Sequence, residues 1–319
     1  MKLNKQIVKS KIRALFGRES DNARQALSDK CNQLEKSREV LRRLLAIKGE
    51  GEVLVKDEWG KKRLALRQYI LNDDFAAFLH HPICQYMFFR MNWASGQDYE
   101  VARINSDLWG RKLLKRMADP VVGAPVMSSR LPRLSVNMLG MLYYVWRLKK
   151  ALRSEQVGTL VEVGGGYGAF CYALCRATSV KSVVIIDLPE MHALQHYFLS
   201  QVLPDWEICV ATDPHVELRP KRIILLPACF AHNTDCVGDV FFSTFGYSEM
   251  PHELQSVFAT QDYYKAKLAL IAGQLRGETP ELGWVPHGEV VGVFMESFQY
   301  VCAERFHIGS NYWLEASRK

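Results

Sequence analysis

The residues best suited to chemistry lie in one short stretch, "LVEVGGGYGAF" at 160–170. Four glycines fall within five positions there, two residues after the carboxylate of Glu162. Glycines between an apolar strand and a helix let the backbone take unusual φ and come close to a ligand. The helix that follows offers free N–H groups and a partial positive charge. Asp187 ends the next apolar run, 19 residues after Gly168, where an acid can accept hydrogen bonds from both ribose hydroxyls. Gly164-x-Gly166-x-x-Ala169 satisfies the dinucleotide fingerprint, a weak match by itself. Glu162 argues against a dinucleotide, because a dehydrogenase strand is usually apolar at that point. An unpaired buried carboxylate is costly, so Glu162 needs a cationic partner or water, and the ammonium of an amino-acid moiety would serve. With Gly168 the run becomes Glu-x-Gly-x-Gly-x-Gly, which fits a wider turn around a ligand without pyrophosphate.

Strands and helices must alternate to hold these residues. "TLVEVGG" reads as a strand and "YGAFCYALCRAT" as a helix. "SVVIIDLP", "KRIILLPA", "DVFFSTF" and "KLALIAGQL" are further strands, with helices at "EMHALQHYFLSQVL" and "HELQSVFATQDYY". "SFQYVCAERFHIG" and "YWLEASR" are strand-like and close enough to pair as a hairpin, while "WEICVAT" is ambiguous. The expected fold is α/β: seven strands in a mostly parallel sheet covered on both faces, with an antiparallel C-terminal hairpin. Upstream, Leu27, Leu34, Leu41, Leu44 and Leu45 mark an amphipathic helix within 22–47, packed on its own domain or forming a dimer contact. Residues 60–118 read as helical and aromatic-rich, and "DPVVGAPVMSSRLPRLS" at 119–135 as a boundary. This divides the chain into a mainly helical region, 1–120, that covers an acceptor or makes a homo-oligomer, and a ligand-binding domain, 121–319.

Composition removes several classes. No run of 18 apolar residues suggests a membrane span, and the basic N-terminus lacks a signal-peptide core, so the expected location is cytoplasmic. The eight cysteines form no CxxC pair and read as reduced structural thiols, and no Cys/His spacing suggests zinc or another metal. A net charge of +7 is compatible with acidic substrates or peripheral association with an anionic membrane, such as an inner membrane face. The basic residues are spread out without a nucleic-acid-binding pattern, so no nucleic-acid partner is expected.

"VEVGGGYG" with "IIDLPE" resembles the class I S-adenosylmethionine-dependent methyltransferases, small-molecule O-methyltransferases in particular. Adding "FFSTFGYSEM", the chain resembles bacterial sugar O-methyltransferases associated with surface polysaccharide loci. The cofactor motif covers roughly 159–190, and the first 120 residues carry no motif. The resemblance implies a Rossmann-like domain with S-adenosylmethionine as cofactor and S-adenosylhomocysteine as product. It implies that Glu162, Gly164, Gly165, Gly166 and Gly168 cradle the cofactor's methionine part, that Asp187 binds its ribose, and that Leu188 packs on its adenine, with "PACF" at 227–230 nearby. The strand before "PACF" lacks the common terminal acid.

Methyl transfer to a neutral sugar hydroxyl calls for a base within hydrogen-bond reach. "GYSEMPHEL" follows the strand "DVFFSTF" and offers Glu249 and His252 as candidate bases, with Tyr247 and Ser248 as acceptor contacts. Ser248 or Glu249 acting only as a helix cap is the plainer alternative. Arg276, Trp284 and His287 make 276–291 a candidate acceptor loop, because sugars stack on aromatic faces and Arg reads carboxylates. His232, Asn233, Arg130 and Arg133 are further candidates. The function expected is transfer of a methyl group to a hydroxyl of a sugar or lipid-linked glycan. The alternatives are a small phenolic or polyketide acceptor, an NAD-dependent oxidoreductase, or a non-catalytic cofactor-binding module.

Overall fold

The computed structural model describes residues 25–26, 28–47, 57–88, 94–153, 156–250, 252–274, 287–307 and 311–318. The alternation read from 159 onward becomes one sheet: β1 (Thr159–Val163), β2 (Ser182–Asp187), β3 (Glu207–Val210), β4 (Arg222–Pro227), β5 (Val240–Thr244), β6 (Leu268–Gln274), β7 (Tyr300–Arg305) and β8 (Asn311–Ser317). Their order is β3-β4-β2-β1-β5-β6-β8-β7. β1 to β6 run parallel, and β8 is antiparallel to both β6 and β7. There are eight strands rather than seven, because the ambiguous segment is β3. It pairs Ile208 with Ile223 and Cys209 with Ile224. As a half-buried edge strand of four residues it carries little of the pattern that marks β2 and β4, in which every residue is buried.

Helices cover both faces: α1 (28–45), α2 (Asp57–Asn72), α3 (Pro82–Phe88), α4 (Ala94–Ile104), α5 (Leu108–Arg116), α6 (Val136–Ala151), α7 (Ala169–Ala177), α8 (Pro189–Val202), α9 (Gly246–Glu249), α10 (His252–Thr260) and α11 (His287–Ser297). Successive strand residues point to opposite faces. Val183 and Ile185 join one core with α6, α7 and α8, while Val184 and Ile186 join the other with Phe258 and Phe294. Leu41, Leu66, Ile70, Phe75 and Phe78 of the N-terminal helices belong to that first core. α1 therefore packs on its own chain, burying Leu34, Leu41 and Leu44; Leu27 lies outside the described residues.

Residues 119–135 form a closed loop rather than an open linker. The N–H groups of Asp119 and Ser128 donate to the carbonyls of Arg133 and Leu134 at 2.8 Å each. Arg147 of α6 ties down the hairpin through Glu304 (2.7 Å) and Glu315 (2.8 Å). Just before β6, four consecutive residues, Asp262 to Lys265, hold φ between 48° and 60°. Arg318 clamps this left-handed turn through Asp262, and Tyr263 and Tyr264 are buried beneath it. All eight cysteines are free. Among the described residues, no helix is long and apolar enough to cross a membrane.

Candidate active site

The strand order reverses between β1 and β5, and in such sheets ligands lie beyond the carboxyl ends of the strands at that point. Two glycines face each other there. A Cβ on Gly164 (φ +74°) would lie 2.9 Å from Cα of Gly246, and the reverse holds equally. Gly166 (φ +57°) has the Phe88 ring of α3 3.4 Å from where its Cβ would be. Gly165 has no room for a side chain either, since its Cβ would meet Ile185 Cγ2 at 2.7 Å and Glu162 Cδ at 3.3 Å. Gly168 (φ +93°) departs from the expected cradle. It is buried against Leu199, so its missing side chain serves the packing of α7 on α8. Tyr167 pins the loop: Asn137 Nδ2 donates to its hydroxyl at 2.8 Å, and Phe78, Phe88 and Phe198 meet its ring edge-on.

Glu162 is buried on β1, and its Oε2 has no hydrogen-bond partner. Burial, reinforced by the nearby Asp187 carboxylate, pushes its pKa up to about 8. Asp187 is also buried, with Oδ1 accepting from the Leu188 N–H at 2.8 Å and Oδ2 from Gln195 Nε2 at 2.9 Å. Burial pushes its pKa up to about 7 despite these bonds. Gln195 also donates from Nε2 to the Gly166 carbonyl at 2.8 Å. Its amide is thereby fixed, so Oε1 accepts from His192 Nδ1 at 2.7 Å. That tautomer is inferred from the network, and it agrees with a buried imidazole whose pKa burial pulls down to about 4. Sequence reading missed this relay; its only local signal is the placement of both residues one turn apart on α8.

Sequence reading also missed the junction with α2. Glu190, fully buried in the first turn of α8, accepts from Arg63 Nε at 3.1 Å and from Arg67 at 2.9 and 2.6 Å. This ion cluster holds the helical layer beside Leu188, which is half-buried at the start of α8. The segment 228–230 follows β4 as a half-buried turn, and the register places Pro227 beside Asp187.

After β5, Phe245 takes φ +65°, an uncommon conformation for an aromatic residue. It turns the chain directly into the single turn of α9. Ser243 Oγ accepts the Tyr247 N–H at 2.9 Å and donates to the Val163 carbonyl at 2.7 Å. As a result Tyr247, expected to touch the acceptor, is a fully buried core residue among Phe241, Phe258 and Phe294. Ser248, expected in the same role, is also buried. Its hydroxyl donates to the Phe245 carbonyl at 2.9 Å and accepts the Gln274 N–H at 3.2 Å, so it braces the loop. Glu249 remains half-buried at this end of the sheet and accepts from Gln274 Nε2 at 2.8 Å. Burial pushes its pKa up to about 7, against the opposing charge of Lys62 on α2.

His252 starts α10 and is exposed, as are His232 and Asn233. Arg130 pairs with Asp98 at 3.2 Å, and Arg133 donates to the Leu114 and Lys115 carbonyls, so both serve the helical layer. Arg276 and Trp284 lie outside the described residues, and His287 is described only as the first backbone position of α11. Among the described residues, no three His, Cys, Asp or Glu side chains come together as a group that could hold a metal ion.

No protein-family model and no curated protein matches this chain. Solved structures are similar at low identity. One is the magnesium protoporphyrin IX methyltransferase of Synechocystis PCC 6803 with bound SAM: TM-score 0.43, 9% identity, covering 81% of this chain and 97% of that one. Another is an O-methyltransferase family protein from Burkholderia thailandensis: TM-score 0.38, 14% identity, covering 74% and 76%. The small RNA methyltransferase HEN1 gives TM-score 0.39 and 13% identity over 55% of this chain, and the match spans a quarter (25%) of HEN1 itself. At these TM-scores the likeness is loose.

Proposed function

We propose that the chain is an S-adenosylmethionine-dependent O-methyltransferase whose acceptor is a hydroxyl of a sugar in a glycan or glycoconjugate. The observation that carries this reading is Glu162, a buried carboxylate with an orphaned oxygen, under glycines that leave no side chain between it and the turn. A buried acid without a partner is unfavourable, and a ligand ammonium relieves it. Asp187 at the end of β2 suits two ribose hydroxyls, and both acids lie beside the point where the strand order reverses. The residues therefore fit the methionine and ribose ends of the cofactor, which when bound supplies a methyl group on a sulfonium. Within this reading Glu162 gives up its proton and pairs with the ammonium, while Asp187, oriented by Gln195, accepts from the ribose. Glu249 takes the proton of the acceptor hydroxyl on the oxygen that Gln274 leaves free. Its elevated pKa makes it a better proton acceptor than an ordinary carboxylate. His252, the other candidate, starts α10 and is exposed, so this reading gives the role to Glu249, which the Gln274 amide holds in place. The sugar acceptor rests on the sequence resemblance together with this need for a base.

The test is transfer of labelled methyl from S-adenosylmethionine to sugar acids, nucleotide sugars and lipid-linked oligosaccharides. Methylation of one of these classes at oxygen, lost in Asp187→Ala, is the expected result. Binding of NADH in place of S-adenosylhomocysteine, or transfer only to phenols, would overturn the reading.

A further inference from the structure

Charge is divided unevenly along this chain. Residues 1–153 hold 30 of the 41 Lys and Arg residues but only 15 of the 34 Asp and Glu residues, so the remainder is net acidic. Part of this excess is gathered on α5. The helix buries Gly110, Leu113 and Leu114 and exposes Arg111, Lys112, Lys115 and Arg116. At helical spacing these four fall within an arc of about 140°, with Leu108, 61% exposed, near its middle. The cationic face continues past both ends of the helix. Exposed Arg103 lies over the Trp146 ring at 5.4 Å, beside the Asp107 N-cap to which Trp146 donates at 2.8 Å. Exposed Arg133 reaches the carbonyls of Leu114 and Lys115. The neighbouring acids are engaged elsewhere, Asp107 by Lys150 at 2.8 Å and Asp119 by the Ser135 N–H.

Exposed apolar side chains are also frequent in and just after α5 in the sequence. Of the ten large apolar residues exposed among the described residues, Leu108, Val121, Val126 and Met127 fall within 108–127, and Val121 is 90% exposed. Because α5 buries its own apolar face in the protein, this is not an inserted amphipathic helix but a basic surface. Clustered Lys and Arg are attracted to anionic lipid headgroups, with an exposed leucine among them adding apolar contact. Single-stranded nucleic acid would instead call for exposed aromatic platforms, and the one aromatic between 105 and 133, Trp109, is half-buried. We propose that the α5 face docks this protein on an anionic bilayer, with the basic side chains on lipid headgroups and Leu108 entering the headgroup layer.

Vesicle co-sedimentation of the full chain tests this, using phosphatidylcholine alone and a 7:3 phosphatidylcholine–phosphatidylglycerol mixture, at low salt and at high salt. Each Lys or Arg near an anionic surface contributes about fivefold in affinity. The expected result is binding to the mixed vesicles only, reversed by salt. It should weaken at least about tenfold in the triple variant Lys112→Gln, Lys115→Gln, Arg116→Gln, and measurably in Leu108→Ser. Both variants change exposed side chains, and unaltered melting curves would confirm their folding. Absence of binding by the unmodified chain, or equal binding by the triple variant, would overturn the proposal. So would an oligonucleotide that binds through these residues while the mixed vesicles do not.

Discussion

Glu162 and Asp187 are two acids buried side by side, and their proton affinity is the most testable property of single residues here. The folded-state pKa of Glu162, about 8, lies well above the ordinary carboxylate range. The folded state therefore holds a proton that the unfolded state has released. The stability this contributes is fully present below the unfolded pKa, near 4.3, and is lost as pH rises through about 8. Asp187, at about 7, acts in the same direction. Without ligand, the melting temperature should fall from pH 5 to pH 8.5, and Glu162→Gln should flatten that slope; calorimetric melts with identical slopes would contradict this. Glu249→Gln should bind cofactor normally and lose at least about a hundredfold in single-turnover transfer. The unmodified rate should rise with pH through about 7 as Glu249 deprotonates, and a pH-independent rate would remove it as the base. One local sequence pattern carries the candidates Glu162, Gly164, Gly165, Gly166 and Asp187, and the fold keeps them together at one end of the sheet. Gln195 is not legible in the sequence, because an amide one turn along a helix looks like any other polar residue until the fold brings Gly166 and Asp187 to it.

At the scale of elements, α2 is held to α8 by charge. Removing Glu190 strands the buried Arg63 beside the half-buried Arg67, and breaking a buried ion cluster in this way costs about 3–5 kcal/mol. Glu190→Ala should show that loss in urea unfolding, while Arg67→Ala, whose side chain is partly solvated, should lose less. Equal losses would contradict the geometry. The turn at Asp262–Lys265 makes the opposite prediction. A left-handed conformation costs roughly 1–2 kcal/mol per non-glycine residue, and Lys265 is exposed there with φ +60°. Lys265→Gly should raise stability by about 1 kcal/mol, and a lowered melting temperature would count against the turn. Neither feature shows in the sequence, since Arg63 and Glu190 lie 127 residues apart and four left-handed residues in a row carry no glycine to announce them. The burial of Tyr247 is hidden from the sequence for a related reason. Local pattern gave the loop after β5 but not the positive φ of Phe245 that rotates Tyr247 into the core.

Across the whole molecule, the helical layer and the sheet share a core. Phe75 and Phe78 pack edge-on against Tyr197 and Phe78 against Tyr167, so the layer reaches the glycine turn itself. The sequence marks 119–135 as a boundary by its Pro, Gly and Ser content. Composition cannot show that Asp119 and Ser128 close this stretch on itself, or that Gly123 accepts from the Leu79 N–H at 3.1 Å. Removing residues 1–118 should expose the apolar surfaces of α6, α7 and α8 and abolish cooperative unfolding. A truncated chain with a full-length-like melt would contradict the shared core.

The central claim is that Glu162 waits for a ligand ammonium, and calorimetric titration with S-adenosylhomocysteine tests it most directly. Titrations at pH 7 in two buffers of different ionisation enthalpy count the protons released on binding. With Glu162 and Asp187 largely or partly protonated beforehand, binding should release about one proton or more. Glu162→Gln should remove most of that release and weaken binding at least about tenfold, as expected for a hydrogen bond to a charged group. Binding without proton release, or with unchanged affinity in Glu162→Gln, would contradict it.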